Sequence, residues 1–565
     1  MKKLLYILAL ISFSITASAQ EKDWGRVSAS LESTNHFYVD DEANNFVPSS
    51  GYDPELQYLN GGRFATNDYL KVDYYKGRIS AGMQLEGYFP TTVGYPYAQN
   101  KLSISNLYCS WTDSNYSVTA GSFYEQLGSG LLFRSWEDRA LGLNNAIVGA
   151  RATYNYDGIL SAKVFAGVPR LDKLQKYSPS FFGLGLAERV CVAAADAFLS
   201  ISEVFGLENI LMSIEGSMLY KYDNLYEKNE PYFYDFLVDS GLNQNSIGWS
   251  GRFSLESAGF YVKGEYVDAG KNYYLEMKKA VRGNAQLFEF GYNQKGLGVS
   301  FTGRRVYRMT QQIVTAEITK YATSANVLSY CPAMCTQYTY MLATLNPYNP
   351  INGMEVMYGP GEYGGQIDAF YNFRRGTKIG GKRGMKIHAN LSAYCELNPD
   401  GGFIGGKYHF LDFSADLEKQ WTKKFKSTVL YSLQDYKKKA KNFYGEEVHI
   451  GMSHTVVADL LYKWTPKFST RLELQYLASK DYQKDWMAAL LEVSFAPSWS
   501  VFASDMYNHG DTKMHYYNAG VSYAYQWFRV AAGYGRYRAG YICSGGVCRK
   551  IPAYTGANLT LTASF

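Results

Sequence analysis

What is scarce in this sequence excludes several classes of protein. Its 56 Lys and Arg nearly balance its 51 Asp and Glu, and charged residues are only 19% of the 565 residues. No strongly basic surface for nucleic acid is therefore expected. The 7 cysteines are odd in number and scattered, which argues against a disulfide scaffold. After residue 19 no run approaches the roughly 20 apolar residues of a membrane-spanning helix.

Motifs that carry chemistry are also missing. We find no nucleophile elbow, zinc-binding helix, Walker loop or EF-hand loop. Gly128-Ser129-Gly130 lacks the Lys-Ser/Thr of a phosphate loop, so it predicts a turn, and the 7 His do not cluster near the cysteines. We therefore expect no metal, no cofactor and no enzymatic activity. A hydrolase that assembles Ser, His and Asn or Asp from neighbouring barrel strands would leave no local motif, and it stays an alternative.

The first residues have the three parts of a secretory signal. Met1-Lys2-Lys3 is basic, Leu4 to Ile15 is apolar, and Ala17-Ser18-Ala19 supplies small residues for cleavage. We expect residues 1–19 to be a signal peptide and 20–565 to be the mature domain. No Cys follows the apolar stretch, so a lipoprotein anchor is not expected by this route.

The rest of the chain alternates with period two, the pattern of strands with two different faces. From Val148 to Tyr156 every second residue is apolar, while the residues between, such as Arg151, are mostly polar or small. The same pattern recurs along the chain in segments of about ten residues, longer than typical soluble strands. The sequence predicts an all-β protein.

The end of the chain favours a membrane barrel over a secreted sandwich or propeller. Leu559, Leu561, Ala563 and Phe565 place apolar residues at every second position, with an aromatic residue last. This resembles the C-terminal signal by which the insertion machinery of the outer membrane recognises barrel proteins. The resemblance implies that machinery and outer-membrane lipid as partners.

The connections predict the size and orientation of the barrel. Four short links contain Trp421, Trp464, Trp499 and Trp527, and all fall on the side of the C-terminus. Long connections fall on the opposite side, near 35–65, 90–100, 125–146, 169–188, 222–248, 310–362 and 540–552. We predict a single large transmembrane antiparallel β-barrel of about 24 strands, within 20 to 26, with periplasmic termini, long extracellular loops and an aromatic girdle. Leu186 to Val204 is also compatible with a helix.

A barrel of this width cannot be filled by its own wall side chains, so its lumen is either wet or plugged. Strand-like alternation already begins at Trp24 to Leu31, which leaves no room for a separate plug domain such as TonB-dependent transporters have. Loop 125–146 mixes charges with apolar anchors and is the candidate constriction. We expect Arg134 and Arg139 to face Glu137 and Asp138 across it, with Arg151 on the polar wall, and to select solutes by charge. The alternative is a solvated outside loop.

Two cysteine pairs lie in long loops. Cys543 and Cys548 in the last loop could close a small disulfide ring, and Cys331 and Cys335 in the longest loop could do the same.

Three stretches carry a family resemblance. They are the lysine-led signal ending Ala19-Gln20, the stretch from Gly121 to Arg139, and the stretch from Gly545 to Gly556 that is followed by Phe565. In these the chain resembles a porin-like outer-membrane barrel family of Bacteroidota. That family has no established activity, so the resemblance implies fold and location and supplies no site residues.

Two kinds of function follow. The first is a porin-like channel for small hydrophilic solutes, with loop 125–146 as its constriction. The second is a non-conducting barrel, a subunit or scaffold of an outer-membrane assembly, secretion or uptake complex whose extracellular loops bind a protein partner. Tyr-rich stretches such as Tyr232-Phe233-Tyr234 favour an interface.

Overall fold

The computed structural model describes most of the chain after residue 24. The described residues are 25–48, 62–95, 102–170, 190–224, 239–274, 279–309, 311, 313, 327–345, 360–403, 406–441, 447–481, 484–544 and 547–565. The predicted signal peptide, residues 1–19, lies outside them.

The main sheet consists of 24 antiparallel strands that close into a barrel. In chain order the barrel strands are β1 Arg26–Tyr38, β2 Phe64–Lys76, β3 Ile79–Tyr88, β4 Ser103–Thr112, β5 Tyr116–Phe123, β10 Ile147–Tyr156, β11 Leu160–Pro169, β12 Val190–Ser200, β13 Leu211–Asp223, β14 Asn245–Ser257, β15 Phe260–Tyr274, β16 Lys279–Gln294, β17 Leu297–Tyr307, β18 Gly361–Phe373, β19 Met385–Glu396, β20 Tyr408–Gln420, β21 Phe425–Lys441, β22 Glu447–Thr465, β23 Phe468–Ser479, β24 Trp486–Phe495, β25 Trp499–Asn508, β26 His515–Tyr525, β27 Phe528–Tyr537 and β30 Tyr554–Ser564. The numbers between belong to short hairpins of the connections, β6 Gln126–Leu127 with β7 Phe133–Arg134, β8 Glu137–Asp138 with β9 Leu143–Asn144, and β28 Gly540–Ser544 with β29 Val547–Ile551.

Each barrel strand pairs with its neighbours in sequence, and the last strand closes the ring against the first. Leu31 of β1 lies opposite Ala563 of β30, and Phe565 exchanges two backbone hydrogen bonds with Ala29. The predicted 24-stranded barrel without a separate plug domain is confirmed for the described residues.

The four Trp-containing short turns lie at one end of the barrel, and the long connections expected from the sequence lie at the other. We call the end at which β1 begins and β30 ends the turn end, and the other the loop end. Two longer connections, 201–210 and 374–384, also lie at the turn end. Trp421, Trp464, Trp499 and Trp527 all lie at the turn end with about half of each residue exposed. Trp527 packs against Phe565 with ring centroids 4.9 Å apart. This is the geometry of an aromatic girdle.

The outer face of the wall is apolar and exposed. Tyr154, Val164, Ile214 and Leu491 are each two-fifths or more exposed, and other strands repeat the pattern. So large a continuous apolar surface is unfavourable in water and suits lipid.

Helices are few in the described part of the chain. A 3₁₀ turn covers Glu42–Asn44, and α1 covers Ile201–Phe205, capped by Ser200, whose hydroxyl accepts a hydrogen bond from the Glu203 amide. The helical alternative for Leu186 to Val204 is therefore wrong for 190–200, which form β12. None of the described helices is both long and apolar enough to cross a membrane.

Candidate functional site

The loop of residues 125–146, which we call segment A, lies inside the barrel. Leu131, Leu132 and Phe133 are almost completely buried and belong to a core cluster with the wall residues Phe165 and Val192. Burying this apolar run offsets the ordering of the loop. The alternative of a solvated outside loop is wrong.

Segment A contacts two separate parts of the inner wall. In one part the Ser129 amide donates to Glu265 Oε2 on β15 over 3.2 Å. In the other, Arg139 forms an ion pair with Glu32 on β1 at 2.5 Å, and its guanidinium lies 4.1 Å from the ring centroid of Tyr69. Strands β1 and β15 are not neighbours in the ring, so the segment joins distant strands of the barrel from within.

The predicted charged residues of segment A pair rather than face one another across a gap. Arg139 Nε lies 3.3 Å from Glu137 Oε1, which also accepts a hydrogen bond from Gln84 at 2.8 Å. Asp138 accepts a hydrogen bond from the Leu141 amide and so holds a local turn. Arg139 and Glu137 therefore form an ion pair with each other within segment A and do not face each other across a gap.

The other two predicted residues also have partners. Arg134 lies over the ring of Tyr330 at 4.0 Å and over Trp136 at 5.2 Å. Arg151 on the wall pairs with Glu125 at 3.4 Å. A role of these residues in selectivity stays a prediction.

A second internal segment, residues 327–345, was not foreseen. We call it segment B. It belongs to the long connection 310–362, which the sequence analysis placed outside the barrel, and this placement is wrong for 327–345. Segment B contains no charged residue and no histidine. The lack of charge could have indicated an inward course for these residues, since a solvated outside loop of this length usually carries charge.

Segment B follows the inner wall opposite segment A and is held by polar groups of the wall. The Tyr338 hydroxyl donates to both oxygens of Asp412 on β20, at 3.0 and 3.1 Å, and accepts from Ser432 at 2.8 Å. Burial and the carboxylate of Asp412 raise the pKa of Tyr338 above its ordinary value. Tyr340 reaches Asp459 on β22 at 3.3 Å, and the Leu342 amide donates to Gln475 at 2.9 Å.

Segment B also contacts a buried ion pair of the wall. Arg304 on β17 pairs with Glu362 on β18, and their side chains are 0% and 4% exposed. Arg304 also donates to the carbonyl of Pro332 and lies 3.5 Å from the Cys331 sulfur.

Cys331 and Cys335 are free thiols in this structure, so the disulfide considered for them is not formed. Burial raises the pKa of Cys331 to about 11 and also raises the pKa of Cys335. Both thiols are therefore protonated at neutral pH and serve as packing groups.

Segments A and B meet and bond directly. The Tyr330 amide donates to the Gly130 carbonyl at 2.8 Å, and the Arg134 amide donates to the Leu328 carbonyl at 2.9 Å. Asn145 adds a side-chain bond to the Val327 carbonyl at 2.8 Å. The two segments thus form one connected layer across part of the lumen.

The hairpin β28–β29 contacts this layer from the loop end. Ile542 packs against the buried cluster of Trp136, Leu141 and Leu143, and Arg538 beside the hairpin donates to the Leu345 carbonyl at 2.8 Å. The backbone register places Cys543 directly opposite Cys548. Their disulfide stays a prediction.

The C-terminal strand has the predicted apolar outer face. Leu559 is 44% exposed and Phe565 39%, whereas Ala563 is covered. Recognition of Leu559, Leu561, Ala563 and Phe565 by the insertion machinery stays a prediction.

The fold and its apolar exterior define this protein as a large β-barrel of the outer-membrane type. The chain belongs to DUF6029, a family of unknown function, whose model matches residues 1–565. No curated protein matches the chain in sequence.

Solved structures with a similar course of the chain are distant. The translocation pore of the P pilus usher PapC is 9% identical over 95% of this chain and 99% of that chain, with a TM-score of 0.41. The siderophore receptor PirA from Pseudomonas aeruginosa is 8% identical over 97% and 82%, with a TM-score of 0.39. The outer membrane protein opdK from Pseudomonas aeruginosa is 7% identical over 96% and 99%, with a TM-score of 0.31. At these scores we take no argument about function from them.

Proposed function

We propose that this protein is an outer-membrane channel that admits small hydrophilic solutes through a lumen narrowed by segments A and B. The observation that carries the proposal is the charged inner wall that keeps contact with water. The side chains of Lys163, His388 and Asp416 are each about one-fifth exposed, Arg471 is 34% exposed and Lys426 36%. A lumen sealed like a protein core would bury such groups, at a large desolvation cost.

Segment A is the proposed constriction because it lies inside the barrel and carries charged residues of its own, whereas segment B carries none. The paired charges of segment A present a fixed local field to a passing solute.

The test is single-channel conductance of the purified protein in a planar lipid bilayer. Arg134→Ala with Arg139→Ala should shift the cation-to-anion permeability ratio and change the step size. The matched control is Arg374→Ala with Arg375→Ala, which removes the same charge from the exposed β18–β19 turn. If the wild-type protein conducts and neither double variant changes the permeability ratio or the step size, segment A does not form the constriction.

One observation favours a second function, a barrel that conducts only when a partner opens it or that serves as a scaffold. Ile542 of the hairpin β28–β29 packs against the cluster of Trp136, Leu141 and Leu143 in segment A, on which Tyr330 of segment B also packs. If the folded wild-type protein is silent, replacing 540–551 by a short Gly-Ser linker should produce conductance. If that variant also fails to conduct, the proposed channel function is contradicted and the scaffold function is favoured.

We further propose export to the outer membrane, with the turn end in the periplasm and the loop end outside. The apolar outer belt and the Trp residues at the turn end support membrane insertion. An epitope tag in the turn at Thr377–Gly380 should be hidden from antibody on intact cells, and one in the loop at Pro399–Gly401 should be accessible. If the first tag is accessible and the second is hidden, the barrel has the opposite orientation in the membrane.

A further inference from the structure

A cavity of about 200 Å³ lies on the inner wall where strands β13 to β16 run side by side. Its polar lining residues form two rows set by the strand register. In one row Glu215 lies opposite Arg252, and Arg252 lies opposite Glu265. In the other, Ser254 lies opposite Lys263, and Lys263 lies opposite Glu289. Charges of both signs therefore alternate within a space the size of a small metabolite.

The turn of segment A packs against the first row. The Ser129 amide donates to Glu265, and Gly128 has a left-handed φ of +55°. A Cβ at Gly128 would collide with the Glu265 carboxylate and the Arg252 guanidinium. Glycine at this position therefore allows the turn of segment A to approach Glu265 and Arg252 closely.

The first row is already largely satisfied. Arg252 lies 2.6 Å from Asp196 and 2.7 Å from Glu215, and its side chain is 10% exposed. Glu265 is held by the Ser129 amide. These groups fix the shape of the cavity, although the Glu215 side chain stays 31% exposed.

The second row presents the accessible charges. Lys263 is exposed and Glu289 is half-buried. A solute with one charge only would be attracted by one of these groups and repelled by the other. A solute that carries an ammonium and a carboxylate group can place the ammonium toward Glu289 and Glu215 and the carboxylate toward Lys263.

We propose that this cavity is a binding site for a small zwitterionic solute of the size of an amino acid or a dipeptide. This inference rests on the proposed channel function and names the class of solute that the lumen binds. Serine hydroxyls complete the lining, since Ser213 and Ser254 lie 2.7 Å apart at its edge.

The test is isothermal titration calorimetry of the full-length protein in detergent micelles. The probes are L-alanine and glycylglycine as zwitterions, propylammonium and propionate as singly charged halves, and glucose as a neutral solute. A zwitterion should bind at least about tenfold more tightly than either half, because both charges are matched. Lys263→Gln and Glu289→Gln should each weaken zwitterion binding by about the same factor.

The matched control is Glu492→Gln on β24, a lumenal carboxylate that is hydrogen-bonded to Ser494 and Ser500 and lies outside this cavity. It should bind like wild type. Should Lys263→Gln fail to fold, Lys263→Met is measured in its place. Equal binding of zwitterion and halves, no binding to folded wild type, or equal loss in Glu492→Gln would each overturn the proposal.

Calorimetry separates this inference from the channel itself. A conducting barrel that binds none of the zwitterions contradicts the site alone. A barrel that does not conduct but binds the zwitterions, and loses this binding in Lys263→Gln, supports the binding site and contradicts the channel function.

Discussion

Segments A and B occupy the same lumen but are held there by opposite means. Segment A brings five charged residues of its own, and three of them, Glu125, Glu137 and Arg139, form ion pairs within the segment or with the wall. Segment B brings none and offers tyrosine hydroxyls and backbone carbonyls to charges that the wall supplies. The pairs of segment A are partly exposed and screened, whereas the Arg304–Glu362 pair beneath segment B is dry. The comparison predicts that substituting one buried wall residue beneath segment B strongly lowers the free energy of unfolding. Removing a single charge from segment A should lower it only slightly.

The largest effect is expected at Arg304. Arg304→Leu leaves Glu362 buried without its main counter-charge, which should cost about 3 to 5 kcal/mol of unfolding free energy. Urea unfolding of the protein folded into lipid measures it. The double variant Arg304→Leu with Glu362→Leu should recover most of the loss, because no uncompensated buried charge is left. A single variant as stable as wild type would contradict the anchoring role.

The tyrosine anchors of segment B should fail at alkaline pH. Burial and Asp459 raise the pKa of Tyr340 to about 12, and burial and Asp412 raise the pKa of Tyr338. A folded-state pKa above the unfolded value gives a contribution that is full below pH 10 and is lost as the pH rises further. Proteinase K should therefore cut within 327–345 faster at pH 11 than at pH 8, relative to cutting within 125–146 in the same sample.

The matched control for that experiment is Tyr338→Phe with Tyr340→Phe. It removes hydrogen bonds to carboxylates, each of which contributes about 1.5 to 3 kcal/mol. Segment B of this variant should be cut faster already at pH 8 and show little further change with pH. Equal pH dependence in variant and wild type would place the alkaline effect elsewhere.

A smaller effect is expected where the two segments meet. Arg134→Ala and Tyr330→Ala, separately and together, should show a coupling of about 0.5 to 1 kcal/mol from the cation–π contact. Unfolding free energies of the four proteins give this coupling directly. Strict additivity would mean that the segments are held independently by the wall.

The smallest effect is expected at Arg139. The side chains of Arg139 and Glu32 are 31% and 36% exposed, so Arg139→Ala should cost less than about 1 kcal/mol. The loss should shrink further in high salt, because exposed ion pairs are screened. A loss comparable to that of Arg304→Leu would remove the contrast between the two segments.

The barrel itself could be predicted from the sequence. Period-two alternation predicts strands whose two faces differ, and the sides on which short and long connections fall predict the strand number. Leu559 to Phe565 mark the closing strand, and the Trp of the short turns mark one rim. These features are local, because each strand needs only its own alternation and its own turn to take its place in an up-and-down barrel.

The arrangement of the barrel interior could be predicted only in part from the sequence. Leu131-Leu132-Phe133 beside the charges of segment A predicted a segment that folds into the lumen, and it does so. The pairing of Arg139 with Glu32 joins residues more than a hundred positions apart, and no local pattern encodes such a contact. The inward course of segment B carried a weaker signal, the lack of charge from Val327 to Leu345.

The sequence by itself therefore determined the closed barrel, its two unlike ends and the inward course of segment A, since hydrophobic periodicity and turn chemistry act within a few residues. The tertiary structure decided which charges neutralise each other, that segment B lines the opposite wall, and that Lys263 and Glu289 share one cavity. These outcomes depend on the strand register and on burial. Both are fixed when all the strands close into one ring, because only then do residues far apart in the chain face each other across a shared lumen.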